Sequence, residues 1–233
     1  MDRLRLGFDL RRKGIKHIGI NCEFWHPLEI NLAKTKELNM NEQTSGRCSW
    51  CGTEPIYVDY HDKVWGRPEY DSQQLVEKLC LDGQQAGLSW ITILKKQAGY
   101  QQAFAQFDPV KIVEFTQDDV ERLMQNPEIV RNRLKINSII KNAKGFIAYE
   151  QEHGVGSFSK FLWSFVGGKP KVNRWTAMSQ VPAETAESQA MSKALKKLGF
   201  NFVGPTICYA FMQAVGMVND HLVSCPSYQD CLN

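Results

Sequence analysis

Cysteine and histidine are unevenly placed in this sequence, and their spacing is of the kind a metal site needs. Cys48 and Cys51 form a C-x2-C pair with His61 ten residues on, and much later His221 and Cys225 form an H-x3-C pair followed by Cys231. Zinc takes four Cys or His ligands in a tetrahedron. Two from each end would tie off the 160 residues between His61 and His221, which on the cross-link model removes about 5 kcal/mol of unfolded-state entropy. Spacing does not choose four ligands from six candidates, and ordinary thiols with surface histidines satisfy the same pattern. None of the six stands beside a Glu placed to activate water, so a metal there is expected to be structural.

A second grouping lies between residues 57 and 90. Tyr57, Tyr60, Trp65, Tyr70 and Trp90 accompany the stretch Leu81-Asp82-Gly83-Gln84-Gln85-Ala86-Gly87-Leu88-Ser89. Aromatic faces with one carboxylate suit a flat ring that is cationic or polarised. Gly83 and Gly87 flank two amides in what reads as a connection between helices, where glycine permits positive φ or close backbone approach. The same aromatics would also serve as core, Trp65 above all. A third grouping, Lys193 to Thr206, reads as helix, glycine-bounded hairpin, helix. The second helix starts just after Val203-Gly204, and its free backbone N–H groups are a natural phosphate site. Helical hairpins are common, and a lysine-rich face (Lys193, Lys196, Lys197) is most often merely solvated. Together with an aromatic pocket, the hairpin suggests a protein that grips a nucleic-acid backbone and reads a displaced base.

The elements that must carry these groups are helical. Asp71-Ser72 can cap a helix with Leu75, Leu79 and Cys80 on one face. Thr116 with Asp119 resembles a capping box ahead of Val120, Leu123 and Met124. From Asn132 to Tyr149 the residues Ile136, Ile139, Ile140, Ala143, Phe146 and Ile147 recur at steps of three and four, an apolar stripe that should face a core. Gly154 and Gly156 end that region before a short helix bearing Phe158, Phe161, Leu162 and Phe165. Gly167 to Pro170 is a turn, Ala190 to Leu198 a helix ending at Gly199, and Pro205 suits the first turn of the next. No stretch alternates as a strand should, so the expected class is all-α.

The chain has 233 residues, of which 43% are apolar and 23% charged. That is enough for one large domain with a real core, and it excludes a disordered or collagen-like chain and a disulfide-dense miniature. No apolar run approaches the roughly 18–20 residues a membrane-spanning helix needs, and the start lacks a secretory signal, so a cytoplasmic protein with no membrane partner is expected. Seven cysteines favour thiols or metal ligands over disulfides there. Residues 1–46 show no sustained period and hold eight Lys/Arg against six Asp/Glu, so +2 of the net +3 resides in them and +1 in the rest. They are expected to be a poorly ordered extension or an over-called start, with the working domain at 47–233.

From Arg47 to about Cys225 the chain resembles the 3-methyladenine DNA glycosylase I family of the helix-hairpin-helix superfamily. The matching blocks are RCSW, YVDYHDKVWGRPEYDS, GQQAGLSWITILKK, FLWSFV, SKALKKLGFNFVGPTICYAFMQAVGMVNDH and HLVSC. The resemblance implies an all-helical glycosylase fold whose ends are joined by one structural zinc ion on Cys48, His61, His221 and Cys225. It implies a base pocket of Tyr57, Tyr60 and Trp90, with Asp82 as the acidic, catalytic residue. Gly87 and Leu88 would fill the gap left by the everted nucleotide, and Gly199, Val203, Gly204 and Thr206 would hold the DNA backbone. The implied reaction is hydrolysis of the N-glycosidic bond of N3-methyladenine in alkylated double-stranded DNA by a monomer without strand cleavage.

One departure matters. The family pattern usually carries Glu where this chain has Asp82, a reach shorter by roughly 1.5 Å. A lesion-binding protein of the same fold, weakened as a catalyst by this change, is therefore the alternative reading.

Overall fold

The computed structural model describes residues 46–232. The extension expected over residues 1–46 lies, apart from Gly46, outside the described residues. Among the described residues eleven α-helices follow one another: α1 (Pro55–Lys63), α2 (Ser72–Gln85), α3 (Trp90–Leu94), α4 (Gln97–Ala103), α5 (Pro109–Ile112), α6 (Gln117–Met124), α7 (Arg133–His153), α8 (Ser157–Ser164), α9 (Ala186–Lys197), α10 (Pro205–Ala214) and α11 (Pro226–Asp230).

Local chemistry sets most of the boundaries. Asp71 accepts from the Gln74 N–H at 2.9 Å and starts α2. Asp119 accepts from the Thr116 N–H at 2.9 Å ahead of α6. Asn132 accepts from the N–H groups of Leu134 and Lys135 and starts α7, whose stripe of Ile136, Ile139, Ile140, Ala143 and Phe146 is buried. Thr185 accepts from the Ser188 N–H, so α9 begins at Ala186, four residues before the apolar period becomes visible. Helix α2 is central. It packs against α3, α7, α8 and α10 with Leu75, Leu79 and Cys80 in the core.

Two features depart from the sequence reading. Leu81 to Gln85 continue α2 instead of forming a connection, so the loop is only Ala86 to Ser89. Gly87 has φ +75°, as a glycine turn requires, whereas Gly83 serves close packing: a Cβ there would lie 3.0 Å from the Cβ of Phe202. The second departure is a short parallel strand pair, β1 (Lys171–Val172) with β2 (Val218–Asn219), registered Lys171 to Val218. Two residues are too few for an alternating pattern to be seen.

The hairpin between α9 and α10 is held from several sides. Asn142 on α7 accepts from the Asn201 N–H at 2.8 Å and donates to the Asn201 carbonyl at 3.2 Å. The Ser192 hydroxyl donates to the Val203 carbonyl at 2.6 Å. Gly199 adopts φ +85°, and Phe202 adopts +54° without being glycine, a strained position that surrounding contacts must enforce. Gly145 of α7 lets the backbone approach, since a Cβ there would meet the Leu198 carbonyl at 2.6 Å and the Phe200 ring at 2.8 Å. Alanine favours a helix interior over glycine by roughly 1 kcal/mol, but overpacking here is expected to dominate. Gly145→Ala should lower stability by about 1–3 kcal/mol. Urea denaturation checks this, and an unchanged or raised midpoint would show that the hairpin does not rest on this glycine.

Candidate active site and metal cluster

Helices α1, α2, α3 and α10 enclose a cavity of about 320 Å³. Tyr57 and Tyr60 come from α1, Trp90 is the first residue of α3, and Lys78, Asp82 and Gln85 line it from one face of α2 at helical spacing. Tyr60 and Trp90 are mostly buried, and their rings lie 5.4 Å apart. Pocket and core are both served: Tyr60, Trp65 and Trp90 pack into the core and, with Tyr57, line the cavity, whereas Tyr70 is exposed and belongs to neither. Trp50 also lines it.

Asp82 is 3% exposed and accepts from Lys78 Nζ, one helical turn earlier, through Oδ1. The same ammonium sits 4.0 Å from the centroid of the Trp90 ring. Burial pushes the Asp82 carboxyl up from the usual carboxylate range and the Lys78 ammonium down, and their mutual attraction opposes both shifts. Asp82 Oδ2 and Trp90 Nε1 are buried without a hydrogen-bond partner. Unsatisfied buried polar atoms are rare in folded proteins and call for an explanation. A ligand in the cavity supplies one.

The sequence reading missed Lys78, although an i, i+4 Lys–Asp pair was visible in it. It also missed Asp220, a fully buried residue in the cavity wall. One oxygen of Asp220 accepts from Asn173 Nδ2 and Trp175 Nε1 at 2.6 and 2.8 Å, and the other from the Tyr209 hydroxyl and Gln213 Nε2 at the same distances. The strand pair brings Asn173 and Trp175 to this carboxylate, a long-range placement that no local pattern reports. With Lys78 positive and Asp82 and Asp220 negative, the lining carries a formal charge of −1.

The two amides divide. Gln84 is structural, donating to the Lys135 carbonyl and accepting from the Tyr100 hydroxyl, while Gln85 lines the cavity. Lys135, reaching from α7, donates to the carbonyls of Gln84 and Ala86 at 2.7 and 2.8 Å and so holds the loop that carries Gly87 and Leu88. Leu88 is 40% exposed at its tip. Phe202 rests on Gly83 in the last turn of α2, so hairpin and loop meet at one end of that helix. Thr206 is exposed, and no side chain caps α10 at Gly204, which leaves its first-turn N–H groups for a ligand.

Of the six metal candidates, the fold brings four together. Donor atoms of Cys48, His61, His221 and Cys225 all lie within 4.8 Å of one another, and all four residues are buried. Cys51 and Cys231 stand outside the group. Cys225 Sγ is 3.6 Å from both His61 Nε2 and His221 Nδ1, and Cys48 Sγ is 3.7 Å from His221 Nδ1. Tetrahedral bonds of about 2.3 Å to sulfur and 2.0–2.1 Å to nitrogen give edges of about 3.6 Å, so the donors fit a metal of that geometry. The outer nitrogens are engaged: His61 Nδ1 donates to Asp62 at 2.7 Å and His221 Nε2 to the Trp65 carbonyl at 3.2 Å. That arrangement aims the remaining lone pairs at the cluster. Hydrogen bonding from Cys48, against burial and aided by both histidines, holds the Cys225 thiol well below its ordinary range. Trp50 packs 5.2 Å from both His61 and Tyr57, so one indole separates cluster from cavity.

The methyladenine glycosylase family profile matches residues 50–228. The DNA-3-methyladenine glycosylase of Haemophilus influenzae is 56% identical over 180 residues, which is 77% of this chain and 96% of that one. This chain belongs to the methyladenine glycosylase family. A crystal structure of 3-methyladenine DNA glycosylase I superposes with a TM-score of 0.76 at 53% identity, covering 77% of this chain and 98% of that one. The 3-methyladenine DNA glycosylase I of Staphylococcus aureus, solved to explain its recognition of 3-methyladenine, gives 0.76 at 43% identity, covering 79% and 97%.

The buried pair yields a stability test. Removing one partner of a buried ion pair leaves an uncompensated charge and costs about 3–5 kcal/mol, whereas removing both is often near neutral. Lys78→Met alone should therefore destabilise the chain by about 3 kcal/mol, and Lys78→Met/Asp82→Asn by clearly less. Chemical denaturation of both variants decides, and additive losses would show that the two groups are not coupled.

Proposed function

We propose that this chain is a monofunctional DNA glycosylase that removes N3-methyladenine from alkylated double-stranded DNA, the opening step of base excision repair. The observation that carries the reading is the cavity: aromatic faces from Tyr60 and Trp90, a formal charge of −1 in the lining, and an unpartnered acceptor on Asp82. N3-methylation makes adenine a cation and a ready leaving group. An everted cationic base gains from stacking and from a negative wall, and its amino N–H can meet Asp82 Oδ2. As the glycosidic bond breaks, the pair of electrons goes to the base, neutralising it. Water then captures the electron-poor sugar carbon, and the proton is lost to solvent. Asp220 and Asp82 favour the charge that develops on the sugar.

Leu88 would fill the space left by the everted nucleotide. The backbone N–H groups of Val203, Gly204 and Thr206 would hold the phosphates, with Gly199 and Gly204 allowing close approach. Catalysis then needs no lysine nucleophile. One structural zinc ion, supported by the S2N2 donor set and its spacing, would join the two ends of the domain in a cytoplasmic monomer.

The test is release of free 3-methyladenine from methylated duplex DNA. Trp90→Ala is expected to lower kcat/KM about 5- to 150-fold, from the ~1–3 kcal/mol of one base–aromatic stack, with circular dichroism unchanged. Absent release with tight binding of abasic DNA would overturn the enzyme reading in favour of the lesion binder. Metal analysis should find about one zinc per chain, and Cys225→Ser should lower Tm while leaving the preference for alkylated bases in place. A chain that folds fully and at the same Tm after zinc removal would sink the structural role.

A further inference from the structure

Asp82 explains only half of what an adenine edge presents. Adenine offers an amino N–H donor flanked by ring-nitrogen acceptors at N1 and N7, whereas guanine offers an oxygen acceptor there, flanked by an N–H donor at N1 and an acceptor at N7. A carboxylate accepts and so reads the amino group alone. The neighbouring acceptor needs a donor, and Lys78 is the donor nearest to Asp82. An ammonium has three N–H groups. One goes to Asp82 Oδ1, and Asp82 is the one hydrogen-bond acceptor Lys78 has among the described residues. Its Nζ lies over the Trp90 face at 4.0 Å, beside the surface on which the base would stack.

We propose that Lys78 is a specificity-determining residue that reads the base jointly with Asp82: Asp82 Oδ2 accepts the amino N–H of adenine while Lys78 Nζ donates to the ring nitrogen next to it. The inference deepens the glycosylase reading and rests on it. Two neighbouring side chains then act as the acceptor–donor fork that one Asn or Gln amide supplies in groove readout of adenine. Guanine would set its carbonyl oxygen against Asp82 Oδ2 and be rejected. The charge of Lys78 does not repel a cationic base, because it is in contact with one carboxylate and Asp220 keeps the lining at −1. The pairing also gives the shorter Asp82 a function suited to its length. With Lys78 occupying Oδ1, only Oδ2 is left to the base, and the donor that completes the fork sits on the same helix face.

The experiment is binding of free bases to the full chain, followed by quenching of tryptophan fluorescence. The probes are 3-methyladenine and its 1-deaza and 7-deaza analogues, each lacking one ring nitrogen beside the amino group. Wild type should bind one analogue about 10-fold more weakly than 3-methyladenine, the loss of one hydrogen bond to a charged donor. Lys78→Met should bind 3-methyladenine about 10-fold more weakly and no longer distinguish that analogue, whereas Lys78→Arg, which keeps a charged donor, should retain some discrimination. If Lys78→Met does not fold, Lys78→Ala, which removes the same donor and leaves room for water beside Asp82 Oδ1, carries the same expectation. A wild type that binds all three bases equally, or a Met variant that still discriminates as wild type does, overturns the role of Lys78 alone. Failure of wild type to bind 3-methyladenine or release it from methylated DNA overturns the underlying function instead.

Discussion

Helix α1 is where two demands on the chain meet. It carries Tyr57 and Tyr60 into the cavity and His61 into the four-donor cluster, within one helical turn and a quarter. Nine residues bury too little surface to fix themselves, and an isolated helix of this length is unstable in water. The position of the two tyrosines therefore depends on what holds His61, whose partners His221 and Cys225 lie 160 and 164 residues away. Trp50 and Trp65 fill the space between cluster and cavity, with ring contacts to His61 of 5.2 and 6.4 Å. The cluster needs no part in bond breaking to matter for the site. In the proposed enzyme, a metal that closes the domain's ends would place one wall of the cavity.

The opposite wall is governed by electrostatics. Helix α2 lies at the centre of the domain, where apolar residues would be the more stabilising choice, yet it buries Lys78 and Asp82 one turn apart. A buried ion pair commonly contributes less than well-packed hydrophobic side chains of the same volume, so its presence is better explained by what the cavity does than by stability. Asp220 is different in kind. Four neutral donors from two segments satisfy it, so it can remain buried while adding negative charge to the wall.

How far the sequence discloses this depends on range. Helices with local start chemistry, such as α2 with Asp71 and α7 with Asn132, were legible because the cap and the apolar period lie within a few residues of each other. The helix across Leu81 to Gln85 was misread because glycine normally ends helices, and only the tertiary contact with Phe202 explains Gly83 inside one. Spacing left six metal candidates open, while family resemblance chose the four that the fold gathers. Asp220 and Lys135 were invisible for a common reason: each acts on groups far along the chain, and neither belongs to a periodic pattern. Lys78 was legible as a helix pair but reads as a surface pair until burial is known.

Net charge gains meaning from the same geometry. The described domain is nearly neutral, since two of the chain's three net positive charges fall in residues 1–46. A protein that holds DNA by lysine and arginine alone would need a basic surface and would lose affinity steeply with salt. Backbone N–H groups at a helix start bind phosphate through fixed dipoles, and they are useful only if the backbone is held still. Asn142, Gly145 and Gly83 do that for the hairpin, bracing it against α7 and the end of α2, and Ser192 ties it to α9. Helix α2 also presents Lys78 and Asp82 to the cavity. In the proposed enzyme, the backbone grip and the base reader are therefore parts of one rigid unit, and an everted base reaches Asp82 at a distance fixed by where the phosphates sit.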